Sequence, residues 1–247
     1  MEQQTHLGGA GGPEGGGRQG GPEAGNGAGN GPGGGERAGT GAGTPAAEGT
    51  PGTVRPGGRT AKVRAAVLAA TEDALAGAGF HALNMDHVAA AAGVGKTTVY
   101  RRWGSPVGLV TDLLRDMADR SLPASDTGSL ADDLRANATL VRHTLTDPRM
   151  GAVFRAVIAA AACDEECAAA LNGFYRARLE EWAPVVERAA ARGEVPAGTD
   201  GLELLRAVSA PLYYRFMITR EPLGADDAER AVTAALTAAG AGVFTRG

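Results

Sequence analysis

Lys96-Thr97-Thr98-Val99-Tyr100-Arg101-Arg102-Trp103 has the spacing of a short helix with one thin inward edge. Val99 and Trp103 stand four apart, one helical turn, which leaves Lys96, Thr97, Thr98, Tyr100, Arg101 and Arg102 outside. A helix of this length is not stable alone, so other elements must hold it. The preceding Gly93-Val94-Gly95 is a short glycine-bearing connection that makes the octet cross the element before it steeply, with Val94 plugging the corner. That element starts at Asn84, a good N-cap, carries Asp86 in its first turn, and turns Met85, Val88, Ala89 and Ala92 inward. Further upstream, Val63, Val67, Ala70 and Ala74, widened by Leu68 and Leu75, predict a helix from Thr60 to Ala78. Lys62, Arg64, Glu72 and Asp73 are expected on its wet side, Gly79 stops it, and Phe80 folds back onto the apolar face. Three helices joined by one tight turn read as a helix-turn-helix.

The outer face of the octet has a physical use. Lysine and arginine neutralise phosphates, hydroxyls bond to phosphate oxygens, and arginine makes paired bonds to guanine in the major groove. A merely solvated basic face is the better reading of such an octet in isolation, but it explains neither the two helices before it nor the turn.

Phe80, Asn84-Met85-Asp86-His87-Val88-Ala89, Ala92-Gly93-Val94, Thr98-Val99-Tyr100 and Trp103 resemble the N-terminal DNA-binding domain of the tetracycline-repressor (TetR) family. The resemblance spans roughly Arg59 to Met117 and holds residue type and spacing together. It implies an all-α homodimer whose third helix enters the major groove and whose larger C-terminal domain binds a small-molecule inducer. Carried over residue by residue, it implies that Lys96, Thr97, Tyr100 and Arg101 lie near base edges, and Asn84, Thr98, Tyr100 and Arg102 near phosphates. Two positions depart from the family pattern. Gly95 stands where a serine-type cap is usual, and Pro106 stands where a phosphate-contacting lysine is common, a loss that Arg101 and Arg102 are expected to offset.

Gly95-Lys96-Thr97 also matches the end of a phosphate-binding loop, but Ala90 occupies the first glycine position and an alanine-rich helix precedes it in place of a buried strand. Without a parallel sheet or a strand-end acid for magnesium, nucleotide hydrolysis is disfavoured. His81, His87 and His143 have no paired carboxylate or nucleophile at informative spacing, and His6 lies in the tail, so no enzyme activity, cofactor or metal is expected. The rival reading is a helical ligand-binding module whose DNA recognition has degenerated, with Pro106 as its main support.

The first 58 residues hold 23 of the 39 glycines and almost nothing apolar, so residues 1–58 are expected to be a disordered Gly/Pro-rich tail. They lack a collagen period and an apolar stretch long enough for a signal peptide. The net charge of −4 divides unevenly. Val54 to Ser105 carries seven Lys or Arg against three Asp or Glu, a net of +4, while Met1 to Thr53 is −3 and the rest is −5. The positive field therefore sits with the octet, and Arg55, Arg59, Lys62 and Arg64 are candidates to lie along a DNA backbone or reach a minor groove. Cys163 and Cys167 are four apart in what reads as one helix, a spacing of about 5–6 Å between Cβ atoms that keeps them as thiols. Two such thiols without an export signal fit a cytoplasmic protein, and nothing suggests a membrane.

Residues 59–119 thus form the expected DNA-binding domain, and 120–247 a ligand-binding and dimerisation domain. Helices are expected at Val107–Arg120, Leu130–Leu145 after a Ser129 cap, Asp147–Ala162, about Asp164–Arg192 with a kink or break at Pro184, Asp200–Thr219 and Asp226–Phe244. The family resemblance implies a four-helix dimer seam from the last two helices. Leu202, Leu205, Val208 and Leu212 on one, and Val232, Leu236 and Val243 on the other, are its candidates. The aromatic residues Phe154, Phe174, Trp182 and Tyr213 are candidates for a ligand pocket, with Tyr175, Phe216, Met150 and Met217 also considered. The partners expected are a palindromic double-stranded operator, an unidentified small molecule and a second copy. The action expected is repression relieved by the ligand.

Overall fold

A computed structural model describes residues 58–246. The expected tail, apart from Gly58, and Arg55 lie outside the described residues. In the described part there are nine α-helices and no β-strand: α1 Gly58–Ala78, α2 Met85–Ala91, α3 Lys96–Trp103, α4 Pro106–Arg120, α5 Leu130–Thr146, α6 Pro148–Ala161, α7 Glu165–Arg192, α8 Gly201–Tyr214 and α9 Ala225–Gly240. A 3-10 turn at Phe80–Ala82 leads into α2, and a π turn at Arg215–Thr219 ends α8.

The starts of the helices follow from their caps. Asn84 Oδ1 accepts from the backbone N–H of Asp86 at 2.8 Å and His87 at 3.2 Å. Ser105, Ser129, Asp147, Asp164 and Asp200 do the same for α4 to α8, with Pro106 and Pro148 at first-turn positions that have no use for an N–H. Gly193 closes α7 in the left-handed conformation, φ 79°. The expected bounds hold within a few residues, except that α8 stops at Tyr214 and α9 at Gly240.

Two packed clusters share the molecule. One joins α1 to α4 around Val67, Leu75, Val88, Val99, Leu109 and Leu113, and it continues into Val153 and Val157 of α6 and Leu171 of α7. The other fills the space between α5, α7, α8 and α9. The N-terminal helices are therefore seated on α6 and α7 by apolar burial as well as joined by α4.

Four expectations are corrected. Pro184 neither breaks nor ends α7, which runs from Glu165 to Arg192. Glu180, whose carbonyl loses its helical donor, and Pro184 are both exposed, so water can satisfy that carbonyl, while buried Trp182, Val185 and Val186 hold the inner face. Cys163 lies in the turn between α6 and α7, because Asp164 caps α7 and only Cys167 is helical, so a shared-helix spacing does not apply. Both are free thiols. Arg64 does not stay wet, and Glu72 is half-buried, since both are tied to other helices as described below. Most of the expected dimer seam is core of this subunit: Leu205, Val208, Leu212 and Val232 are at most 1% exposed, Leu202 and Leu236 are half-buried, and only Val243 is open.

Candidate functional site

At the turn, Gly93 takes φ 64°, a conformation that excludes most side chains. The Val94 N–H donates to the Ala89 carbonyl at 2.9 Å, which closes the connection and sets the angle between α2 and α3. Gly95 caps α3 with extended backbone and no side-chain bond. Val99 is fully buried and Trp103 is 8% exposed, so they hold α3 down, while Lys96, Thr97, Tyr100, Arg101 and Arg102 face solvent and Thr98 is half-buried. Tyr100 is an exposed aromatic beside them. An open cleft of about 790 Å³ runs between the start of α1 and α3, with Arg59, Thr98, Arg101 and Arg102 among its walls. Asn84, at the start of α2, uses its side chain on its own cap.

The basic residues of α3 are not equivalent. Lys96 Nζ lies 2.6 Å from Asp86 Oδ2, and this hydrogen bond holds the Asp86 carboxyl below the usual carboxylate range. The pair is exposed and therefore cheap to open. Arg102 turns back, its guanidinium 5.0 Å from the Trp103 ring centroid and its Nη1 donating to the Thr60 carbonyl at 3.4 Å. Among the described residues no ion pair engages Arg101.

Beneath α3 lies a half-buried clasp. The Trp103 indole N–H donates to Asp112 Oδ2 at 2.9 Å, and Arg64 donates to both Asp112 oxygens, with its Nη2 at 2.9 Å and its Nε at 3.1 Å. Arg64 also pairs with Asp116 at 2.6 Å. Burial pushes the Asp112 carboxyl up, but the bonds from Arg64 and Trp103 outweigh it and leave the group below the ordinary range. The end of α3, the middle of α1 and α4 are thus one hydrogen-bonded unit. Gly108 completes the junction, since a Cβ there would stand 1.9 Å from the Trp103 carbonyl oxygen. Farther along α1, Glu72 and Asp73 both pair with Arg149 at the start of α6. Sequence reasoning missed this frame, because its ion pairs join residues 48 to 77 apart.

The C-terminal half holds a partly open cavity of about 90 Å³ between α5, α6, α7 and α8, lined by all four candidates, Phe154, Phe174, Trp182 and Tyr213. Phe154 and Phe174 are 5.5 Å apart, Phe174 and Tyr175 5.3 Å, and Tyr175 and Tyr213 5.4 Å with edge-to-face rings. Phe216 is not in this wall but packs in the core beneath Arg155, 4.6 Å from its ring centroid. The polar members Asn137, Thr144, Arg178 and Ser209 went unread. Asn137, Val141 and Thr144 fall at i, i+4 and i+7 of α5, so a polar break in an inward stripe was the available signal.

A basic, hydroxyl-rich third helix on a capped three-helix frame, backed by a helical half with an aromatic cavity, defines a DNA-binding protein of the helix-turn-helix class. The family model described as "Bacterial regulatory proteins, tetR family" matches residues 67–113, and that for the "Tetracyclin repressor-like, C-terminal domain" matches residues 124–235. The HTH-type transcriptional regulator YdeS of Bacillus subtilis (strain 168) is 31% identical over 155 residues, which cover 62% of this chain and 78% of YdeS. The HTH-type transcriptional regulator AqdR of Rhodococcus erythropolis is 32% identical over 142 residues, 58% of this chain and 68% of AqdR. A crystal structure of the TetR family transcription regulator SCO0332 superposes with a TM-score of 0.59 at 30% identity, covering 71% of this chain and 97% of that one. The chain belongs to the tetracycline-repressor family and is a helix-turn-helix transcriptional regulator. Among the described residues no helix is long and apolar enough to cross a membrane.

Proposed function

We propose that this regulator is a cytoplasmic, non-enzymatic repressor that binds a palindromic operator as a homodimer and leaves it when a small molecule occupies the C-terminal cavity. The observation that carries the proposal is the exposed face of α3, seated by Val99 and Trp103 and fixed to α4 through Asp112. Lys96, Thr97, Tyr100 and Arg101 are assigned to base edges. Asn84, Thr98, Tyr100 and Arg102 are assigned to phosphates, with Arg59 alongside in the cleft. Lys96 must first leave Asp86, an exchange of one exposed ion pair for a phosphate or guanine contact.

One α3 reads only a few base pairs, so two copies on a two-fold axis are needed for a useful affinity. The outward faces of α8 and α9 support that pairing. Ala210, Pro211, Tyr214, Ile218, Ala234 and Val243 are exposed there, and they replace the buried leucines and valines as the seam. For release, the ligand must favour a conformer in which α4 has moved and carried both α3 helices out of half-site register. The Asp112 clasp supplies a rigid link for that step.

A second reading, a ligand-binding module with degenerate DNA recognition, draws on two observations: Arg102 is folded back onto Trp103, and Pro106 offers no cation. Selection of duplexes from a random or genomic pool at near-physiological salt, followed by sequencing, decides between them. A recovered palindrome supports the repressor. Unrelated sequences from a folded, dimeric protein support the module.

A further inference from the structure

The cavity between α5, α6, α7 and α8 holds two hydrogen-bond donors that the protein leaves without partners. Trp182 is 2% exposed, and its indole Nε1 makes no hydrogen bond. The buried hydroxyl of Tyr175 makes no well-formed bond either, although the Tyr213 hydroxyl stands near it. Buried polar groups in folded proteins are nearly always paired, and an indole N–H can only donate, so its missing partner is an acceptor. Burial pushes the Tyr175 phenol well above its ordinary range, which keeps it a neutral donor.

Three other polar residues of the wall are already engaged, while Asn137, Ser121 and Tyr213 add neutral polar groups to it. Thr144 and Ser209 donate to the Leu140 and Leu205 carbonyls of their own helices at 2.9 and 3.0 Å. Arg178 donates to Glu181 at 2.7 Å and to the Leu122 carbonyl at 3.0 Å. The site therefore offers aromatic faces and neutral polar groups, with two buried donors lacking acceptors, and its one cation is neutralised. We infer that the ligand is an uncharged, planar aromatic molecule carrying a hydrogen-bond acceptor, such as a carbonyl oxygen, held by the Trp182 indole N–H and the Tyr175 hydroxyl. This rests on the ligand-responsive reading given above and names its chemistry.

Size adds a link to the DNA-binding end. A cavity of about 90 Å³ is smaller than the roughly 150 Å³ apolar cavity that takes up benzene, so even a single ring must displace part of the wall to enter. Phe174 lines this cavity and also a groove of about 640 Å³ between α4 and α7. A larger ligand gains room by displacing Phe174 toward α4, the helix that carries Asp112.

The test is calorimetric titration of the full chain with acetophenone, with α-methylstyrene, which replaces the carbonyl by C=CH2 at nearly the same shape, and with benzoate. Acetophenone is expected to bind about tenfold more tightly than α-methylstyrene, the weight of one or two buried hydrogen bonds, and more tightly than benzoate at neutral pH. Tyr175→Phe, which removes one oxygen and keeps the ring, should shrink the ketone-to-alkene ratio to about two- or threefold. Adding Trp182→Phe should abolish the ratio. Because a ratio is read, a change in cavity size cancels, and thermal melts confirm that each variant is folded. Equal affinities for ketone and alkene, tighter binding of benzoate, or no binding of any probe up to the millimolar range would overturn the inference. Operator binding measured on the same preparation fails only if the regulator reading itself is wrong, so the two failures are distinct.

Discussion

The two tryptophans divide the molecule. Trp103, at the end of α3, has its indole N–H on Asp112, and Asp112 is held in turn by Arg64, so the buried polar group beneath the exposed basic face of α3 is paired. Trp182, in the aromatic wall of the C-terminal half, is buried more deeply and is unpaired. One end is a closed network that fixes a surface, and the other is an open valence around a cavity. A regulator of this kind needs both. A helix that reads DNA has to be held in one geometry, and a sensor has to be better satisfied with its ligand than without it.

The most damaging way to break the closed end is at Gly108. A methyl group there meets the Trp103 backbone carbonyl, and neither backbone can yield without turning α3. Gly108→Ala should cost on the order of 3 kcal/mol in chemical unfolding and remove operator binding, whereas Gly173→Ala inside α7, where a Cβ meets nothing within 4 Å, should leave operator binding intact and stabilise by up to about 1 kcal/mol. Next in size is Asp112→Ala, which leaves the Trp103 indole unpaired and the Arg64 guanidinium with Asp116 alone. A loss of about 2 kcal/mol is expected, read by thermal melting, with Asp112→Asn recovering part of it because an amide oxygen still accepts from Trp103.

Why the clasp was invisible in the sequence is plain from its members. The charge of Arg64 reads as a wet residue although Val67 and Leu68, three and four residues on, share its face, and the acids that pair it there come from α4. The octet was legible because Val99 and Trp103 are one turn apart and Gly93 and Gly95 bound it, all local constraints. The four pocket aromatics were legible as a set, since large residues at helical spacing must meet somewhere. The seam was not legible, because an apolar stripe such as Leu205, Val208 and Leu212 shows which face is buried and not whether the burying partner is this subunit or another. Cys163 was misread for a smaller reason: Asp164 caps α7, so a single capping residue moved the helix boundary past it.

Acid offers a gentler probe of the same contrast. The Asp112 carboxyl lies below its ordinary value in the folded protein, so its contribution is complete above the unfolded carboxylate pKa, about 3.9, and drains away as pH falls through the lower folded value. Trp103 should therefore lose its buried fluorescence only below about pH 4, and Asp112→Asn should weaken that dependence. The smallest effect concerns thiols. Burial pushes Cys167 up to about 11, while Cys163 is exposed, so a colourimetric thiol reagent at pH 8 should label one cysteine quickly and the second only on unfolding.

The direct test of the account is the affinity of the dimer for its recovered operator against a scrambled duplex of equal length, at near-physiological salt, for the native chain and for Arg101→Ala. A native ratio of about a thousandfold or more that collapses in Arg101→Ala, with α3 still folded, is the result predicted. A native ratio near one, or a high ratio untouched by Arg101→Ala, would contradict the claim that the exposed face of α3 reads the DNA.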